Sequence, residues 1–167
     1  MPGSQPTFYE FFAGGGMARA GLGEGWRCLF ANDFDASKAQ SYRRNWGDGE
    51  MCVGDIHGLA TGDMPGAPDL AWASFPCQDL SLAGNGAGLK GERSGAFWGF
   101  RRIIADLRGE GRAPKLLVIE NVIGALTSNG GADFSELITA LAALGYAVGA
   151  TAAGNAPRRW SARPPHS

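Results

Sequence analysis

Apolar runs that alternate with helix-period segments limit the fold of this chain more than any other feature. The runs occupy residues 7–12, 27–31, 51–53, 69–73 and 115–120. Most are continuously apolar, as in strands that are covered on both faces, and segments with helical periodicity separate most of them. Strands that alternate with helices form parallel sheets. The sequence therefore predicts a doubly wound, Rossmann-like α/β fold with a mostly parallel sheet.

Capping residues outline three of the predicted helices. Asp35 is a predicted N-cap for the helix after the second strand, and Ser94 for a helix with a long apolar face. The apolar face predicted for the first of these helices holds Ala39, Tyr42 and Trp46, and that of the second holds Phe97, Phe100, Ile103, Ile104 and Leu107. Asp133 and Glu136 have the spacing of a capping box, and Gly145 is predicted to end that helix. These amphipathic helices are expected to cover the sheet.

Length and charge favour one ordinary globular domain. The 167 residues are 44% hydrophobic, which is enough for a single core. The net charge of -1 gives no general sign of a nucleic-acid or membrane partner, but residues 90–115 hold 7 basic and 3 acidic groups. Any positive field is therefore expected to be local.

Cysteine and histidine are too few and too scattered for a metal site. The three cysteines are Cys28, Cys52 and Cys77, and the two histidines are His57 and His166. No Cys-x-x-Cys spacing occurs, so neither a zinc site nor a disulfide framework is predicted. The first residues lack a signal-peptide pattern, and no stretch reaches the ~20 apolar residues of a membrane span. A cytoplasmic protein without a membrane partner is expected.

A glycine-rich turn follows the first predicted strand. Residues 14–16 are all glycine, so backbone amides can approach a ligand, and the helix predicted at Met17–Leu22 favours negative charge at its start. Asp33 follows the second strand, where a carboxylate could accept hydrogen bonds from ribose hydroxyls. Asp55 and Ile56, after the third, suit an adenine amine and ring face. The glycine spacing disfavours a dinucleotide, and a turn that binds nothing is the alternative.

Cys77 and Glu120 each close a predicted strand, which brings them to one edge of the sheet. Cys77 follows Pro76, so its sulfur is expected to be partly exposed and able to act as a nucleophile. A small buried cysteine and a solvated glutamate are the alternatives. A cysteine hydrolase would need a histidine base, but His166 is in the irregular tail and His57 is beside Asp55. The pair suits addition to a ring whose nitrogen is hydrogen-bonded or protonated.

The motifs Phe-Pro-Cys-Gln at residues 75–78, Gly-Glu-Arg-Ser-Gly at 91–95 and Glu-Asn-Val at 120–122 resemble those of DNA (cytosine-5) methyltransferases. The resemblance covers residues 8 to about 148. It implies a methyltransferase domain in which Cys77 attacks C6 of a cytosine flipped out of double-stranded DNA, while Glu120 engages the N3 edge. Asn121 would hold the loop that carries Pro76. The methyl group would come from S-adenosyl-L-methionine.

The same resemblance implies two sets of binding residues. The cofactor-binding set is Phe12, Ala13, Gly14, Gly15, Gly16, Asp33, Phe34, Asp55, Ile56 and Pro76. The DNA-binding set is Lys90, Arg93, Arg101 and Arg102, for which a solvated helix face is the alternative.

The resemblance stops near residue 150. Residues 1–150 are expected to be the N-terminal, cofactor-binding portion of a catalytic domain, and residues 151–167 an irregular, disordered tail. The family's later strands, its Gln-x-Arg-x-Arg segment and its target-recognition domain are not recognisable. A sheet incomplete on its C-terminal side, with weak activity or a second chain supplying the missing parts, is therefore expected. The alternatives are a non-catalytic remnant and a tRNA cytosine-5 methyltransferase of the same superfamily.

Overall fold

A computed structural model describes residues 4–75, 95–121 and 128–148 of the chain. The strands are β1 (Thr7–Phe11), β2 (Arg27–Asp33), β3 (Met51–Val53), β4 (Leu70–Ala73) and β5 (Leu116–Ile119). The helices are α1 (Met17–Leu22), α2 (Ala36–Trp46), α3 (Ala96–Gly109) and α4 (Ala132–Ala142). Short 3-10 turns lie at Ile56–Gly58, Thr61–Asp63 and Ser128–Gly131. The bounds of the strands differ from the predicted ones by at most two residues.

The strands form one parallel sheet in the order β3-β2-β1-β4-β5. All four neighbouring pairs are parallel, and Glu10 in β1 lies opposite Ala31 in β2 and Trp72 in β4. The predicted Rossmann-like α/β fold is confirmed. From β1 the chain continues outward to β2 and β3, and it then crosses to β4 and β5 on the other side of β1. The topological switch point therefore lies between the carboxyl ends of β1 and β4. Ligands of doubly wound folds bind at such a point.

Each face of the sheet is covered by helices. On one face α3 buries five large side chains completely, and they are the ones predicted: Phe97, Phe100, Ile103, Ile104 and Leu107. On the other face α2 packs the buried Ala39 and Tyr42 against Phe8 and Ala31. The apolar helix faces inferred from periodicity therefore make the core.

Asp35 caps α2 as predicted. Its Oδ1 accepts hydrogen bonds from the amides of Ser37 at 2.8 Å and Lys38 at 3.3 Å. These amides have no carbonyl partner within the helix, so the carboxylate satisfies them. The pKa of Asp35 is lowered by its hydrogen bonds with Ser37 and Lys38.

The predicted starts of the other two helices were wrong. Gly95, not Ser94, is the N-cap of α3, and Ser94 lies outside the described residues. The N-cap of α4 is Gly131, with φ 88°, which places the buried Asp133 inside the first turn rather than at the cap. The 3-10 turn before α4 feeds into the helix through left-handed glycine, so no capping box forms.

β5 has one strand neighbour, β4, within the described part of the sheet. Leu116 is 57% exposed, and the other three residues of β5 are half-buried. The continuous apolar run had predicted a strand covered on both faces, which holds for β1 but not for β5. None of the described helices is long and apolar enough to cross a bilayer. The predicted tail, residues 151–167, lies outside the described residues.

Candidate cofactor and catalytic site

The carboxyl ends of the five parallel strands meet at one edge of the sheet. The glycine turn follows β1, Phe34 follows β2, Asp55 comes two residues after β3, Ser74 follows β4 and Glu120 follows β5. Residues separated by up to 106 positions, from Gly14 to Glu120, are thereby collected at the edge that holds the switch point between β1 and β4. The glycine turn, Phe34 and Asp55 from the predicted cofactor set therefore lie at the same edge as the predicted acid, Glu120.

The glycine turn has an unusual backbone. Gly14 has φ 54° and Gly16 has φ 85°, and Phe12 is also left-handed at φ 59°. A left-handed non-glycine residue is costly and persists where packing holds it. The Phe12 ring is held edge-on against Phe75, with centroids 6.0 Å apart. No described atom lies within 4 Å of the position that a Cβ on Gly14 would take, so a ligand can reach this backbone.

Side chains at the end of α2 support the glycine turn at residues 14–16. Asn45 Nδ2 and Trp46 Nε1 each donate a hydrogen bond of 3.1 Å to the carbonyl of Gly15. A Cβ on Gly16 would collide with the Trp46 indole and press on Tyr42. Sequence reasoning assigned Trp46 to the apolar face of α2 and missed its indole N–H as a support for the turn. The glycine at position 16 is thus required by both φ and space.

Asp33 fastens the turn to β2. Its Oδ2 accepts from the Gly14 amide at 2.8 Å, its Oδ1 accepts from the Asp35 amide at 2.9 Å, and the residue is 4% exposed. The predicted contact with ribose therefore has to use a second lone pair on an oxygen that already serves the backbone. Its position and burial show that Asp33 stabilises the glycine turn, in addition to the role predicted for it with ribose.

The adenine side of the predicted site differs from the expectation for one residue. Phe34 is 69% exposed and Val53 is 40% exposed beside the exposed Asp55, so apolar surface is present there. Ile56, however, is 4% exposed and packs into the core on the α3 face. The exposed apolar side chains at this end of β2 and β3 are therefore Phe34, which was predicted, and Val53, which was not.

Glu10 is a buried acid that sequence reasoning did not select. It is 2% exposed in the middle of β1, and its Oε1 accepts from the Ala18 amide of α1 at 3.1 Å. Its Oε2 has no hydrogen-bond partner among the described residues. Burial raises the pKa of Glu10 to about 7, against the lowering effect of the Ala18 and Arg19 amides and the Arg19 charge. The sequence signal that could have identified Glu10 is an acidic residue inside the apolar run at residues 8–11.

The two described cysteines are not activated. Cys28 is buried and lies 3.5 Å from the Tyr42 hydroxyl, and Cys52 is half-buried. Burial raises the pKa of both thiols, which disfavours the nucleophilic thiolate. Within the described ranges no three His, Cys, Asp or Glu side chains lie close enough to hold a metal ion.

Glu120 is exposed and lines a cavity beside α1. The cavity has a volume of about 350 Å³ and is lined by Met17, Ala18, Gly21, Leu22, Trp72, Ser74 and Glu120. Trp72 Nε1 donates to Ser74 Oγ at 2.8 Å at its floor. The Glu120 amide donates to Ala73 at 2.9 Å, which extends the ladder between β4 and β5 by one bond. The carboxylate thus leaves the end of β5 toward an accessible space.

Asn121 ties β5 to the segment that follows β4. Its Nδ2 donates a 2.8 Å hydrogen bond to the carbonyl of Phe75, the residue before Pro76. Pro76, Cys77, Lys90 and Arg93 lie outside the described residues. The predicted pairing of the Cys77 sulfur with Glu120, and the predicted roles of these four residues, remain predictions.

Arg101 and Arg102, predicted to contact nucleic acid, have partners within the chain. Arg101 Nε donates to Ala140 in α4 at 3.4 Å, and its guanidinium lies 5.8 Å from the Trp98 ring centroid. Arg102 Nη2 donates to the carbonyls of Ile56 at 3.1 Å and Leu59 at 2.8 Å. Both arginines join α3 to other elements.

The family model for C-5 cytosine-specific DNA methylases matches residues 6–154. The chain belongs to the C-5 cytosine-specific DNA methylase family. Among curated relatives of this chain, the type II methyltransferase M.BsuFI of Bacillus subtilis is 35% identical over 87% of this chain and 34% of its own length. M.NgoFVII of Neisseria gonorrhoeae is 34% identical over 87% of this chain and 38% of its own length. The chain therefore spans little more than a third of the length of these relatives.

Solved structures support the fold. The Dnmt2 methyltransferase of S. pombe superposes with a TM-score of 0.57 at 20% identity, covering 80% of this chain and 40% of that chain. A TehB-like SAM-dependent methyltransferase from Corynebacterium glutamicum superposes with a TM-score of 0.53 at 18% identity, covering 86% and 67%. These similarities show a methyltransferase-like fold.

Proposed function

We propose that this chain is the cofactor-binding portion of an enzyme that transfers the methyl group of S-adenosyl-L-methionine to C5 of cytosine in double-stranded DNA. The observation that carries the proposal is the shared edge of the sheet. There the open glycine turn after β1, Glu120 after β5 and the Asn121 bond to Phe75 lie together. Residues 1–150 would form this portion.

The residues present fit a nucleoside cofactor. The Gly14 backbone is accessible and left-handed, and the exposed Phe34 and Val53 offer apolar surface for a base beside the Asp55 carboxylate. Glycine 14 to 16 would contact the methionine part, and Asp33 and Asp55 would accept hydrogen bonds from ribose and adenine. When bound, S-adenosyl-L-methionine supplies an electrophilic methyl group.

The chain's own residues would carry out the remaining chemistry. The Cys77 thiolate would form a bond to C6 of a flipped cytosine, and the π electron pair of the C5–C6 double bond would move to C5. Glu120 would hydrogen-bond the N3 edge so that charge developing on the ring is neutralised. After C5 takes the methyl group, with S-adenosylhomocysteine as the leaving group, loss of the C5 proton would re-form the C5–C6 double bond and release the Cys77 thiolate from C6. Asn121 would hold Phe75 so that Pro76 and Cys77 stay beside Glu120.

Binding of DNA is assigned to Lys90 and Arg93 in preference to Arg101 and Arg102. The latter two already donate to Ala140, Ile56 and Leu59, so neutralising phosphates would cost them these contacts. The chain spans 34% to 38% of the length of the two curated relatives. We propose that these 167 residues alone have weak activity, and that a second chain carrying the remaining segments of such a relative raises it.

Calorimetric titration of the purified chain with S-adenosylhomocysteine tests the cofactor site. Saturable 1:1 binding is expected, and it should be weakened at least about tenfold in Gly16→Ala, where the new Cβ meets Trp46. The absence of binding by the unchanged chain would contradict the proposal.

Transfer of radiolabelled methyl groups tests the reaction and the acceptor. Slow incorporation into mixed-sequence DNA is expected, absent in Cys77→Ser and reduced at least about a hundredfold in Glu120→Gln. Incorporation into tRNA but not DNA would favour the tRNA enzyme. Cofactor binding without transfer to either acceptor, even with a relative's C-terminal portion added, would favour a non-catalytic remnant.

A further inference from the structure

The turn after β3 carries the residues assigned to adenine. Asp55 is the N-cap of the 3-10 turn Ile56–Gly58, and its Oδ1 accepts from the His57 amide at 2.9 Å. The direction of the Asp55 carboxylate is therefore set by the placement of this turn. A three-residue turn has little internal hydrogen bonding, so its placement depends on what packs against it.

Arg102 in α3 holds this turn by two carbonyls. Its Nη2 donates to Ile56 at 3.1 Å and to Leu59 at 2.8 Å, one carbonyl at the start of the turn and one directly after its end. Its Nη1 pairs with Asp106 one helical turn farther along α3, at 3.0 Å. The planar guanidinium is thus fixed on one side by α3 and spans the turn on the other.

Gly99 lets α3 approach the turn closely enough for this bridge. A Cβ at position 99 would lie 2.6 Å from Cγ2 of Ile56 and 3.2 Å from Cε1 of His57. Residues 99 and 102 are three apart in the helix and so share a face. Close packing by Gly99 and bridging by Arg102 act on the same turn, and they explain why Ile56 is buried rather than exposed to a ligand.

We propose that Arg102 is a positioning residue for adenine recognition, because its bridge between the carbonyls of Ile56 and Leu59 fixes the direction of the Asp55 carboxylate. The inference rests on the proposed cofactor site and names a residue that acts on that site through Asp55. A carboxylate accepts a hydrogen bond from the exocyclic amine of adenine and repels the carbonyl oxygen at the same position of hypoxanthine. Correct placement of Asp55 therefore gives preference for adenine over hypoxanthine.

The test compares S-adenosylhomocysteine with S-inosylhomocysteine by calorimetry on the full chain. The unchanged chain should bind the adenine ligand more tightly than the hypoxanthine ligand. Arg102→Ala should lower this ratio of affinities about tenfold, mostly by lowering the affinity for the adenine ligand. Arg102→Lys keeps the charge but not the planar fork, so an intermediate preference is expected. Arg101→Ala is the matched control: it removes a neighbouring arginine that donates to a carbonyl of α4, and the preference should stay within about twofold.

Two results would overturn the inference and can be told apart. If the unchanged chain binds neither ligand, the proposed cofactor site fails and the inference fails with it. If the unchanged chain shows the preference and the Arg102 variants keep it, or lose affinity for both ligands by the same factor, the inference alone fails. The lysine variant decides the matter should the alanine variant not fold.

Discussion

Within the glycine turn, Gly16 is the residue at which a side chain is least tolerated. Its φ of 85° is unfavourable for any other residue, and an added Cβ would collide with the Trp46 indole that supports Gly15. We expect Gly16→Ala to lower the free energy of unfolding by about 1–3 kcal/mol. It should also weaken S-adenosylhomocysteine binding by at least about tenfold. Urea unfolding and calorimetry measure the two effects.

Gly25→Ala serves as the control for that change. Gly25 lies before β2, at the opposite edge of the sheet, and no described atom is within 4 Å of its added Cβ. Both stability and affinity should stay close to those of the unchanged chain. Equal effects at positions 16 and 25 would contradict the close fit between the turn and α2.

Glu10 should make stability depend on pH in an unusual direction. Its pKa is raised by burial from 4.5 to about 7, so between these values the folded chain holds a proton that the unfolded chain has lost. The contribution of Glu10 is fully present below pH 4.5 and is lost as pH rises to about 7. The free energy of unfolding should fall by about 3 kcal/mol at most across this range.

Glu10→Gln isolates this contribution. The amide is uncharged and its oxygen can still accept from Ala18, whereas the Arg19 guanidinium and the Cys28 thiol, the other titratable groups close to Glu10, are unchanged. The difference in unfolding free energy between the variant and the unchanged chain, measured by urea at several pH values, should grow with pH. A difference that stays constant from pH 4.5 to about 7 would show that folding does not raise the pKa of Glu10.

At the scale of elements, α2 is capped by Asp35 at its start and supports the glycine turn at its end. Asp35 caps its first turn, and Asn45 and Trp46 in its last turn hold Gly15. We expect Asp35→Ala to lower the melting temperature by a few degrees at neutral pH and to weaken cofactor binding slightly. Thermal unfolding followed by circular dichroism measures the first effect.

Asp35→Asn is the matched variant, because an asparagine oxygen can accept from Ser37 and Lys38. It should restore most of the melting temperature. The pKa of Asp35 is lowered in the folded chain, so the ionised cap stabilises above pH 3.8 and its contribution is lost as pH falls further. A melting temperature in Asp35→Asn as low as in Asp35→Ala would mean that the charge, and not the cap, matters.

At the scale of the whole molecule, the exposed apolar residues in and near β5 bear on self-association of the chain. Leu116 is 57% exposed and Met17, at the cavity beside β5, is 79% exposed. Within the described ranges β5 pairs with a strand on one side only, and an unpaired, apolar edge favours association with another chain. We expect self-association that increases with concentration, and Leu116→Lys should reduce it without loss of stability. Sedimentation velocity measures the association.

Gln40→Lys controls for the added charge. Gln40 is exposed on α2, away from β5, so this variant should associate like the unchanged chain. A monomeric unchanged chain at high concentration would contradict the interpretation of the β5 edge.

The sequence by itself determined the order of elements and which residues follow the carboxyl ends of the strands. Continuous apolar runs separated by helical periodicity indicate a parallel sheet, and a parallel sheet brings all its carboxyl ends to one edge. Gly14, Asp33 and Glu120 could therefore be assigned to the same edge from local pattern and connectivity alone. The cap at Asp35 was predictable for the same reason, since a cap depends on neighbours within three residues.

The tertiary structure alone decided which polar groups serve the fold and which face the site. Arg102 is basic and follows a basic loop, yet it donates to Ile56 and Leu59 because Gly99 lets α3 come close. Glu10 is buried and Trp46 supports Gly15 because α1 and α2 pack on the same face of the sheet. Such contacts join residues 8 to 46 positions apart, and no local pattern encodes a distance that packing of several elements sets.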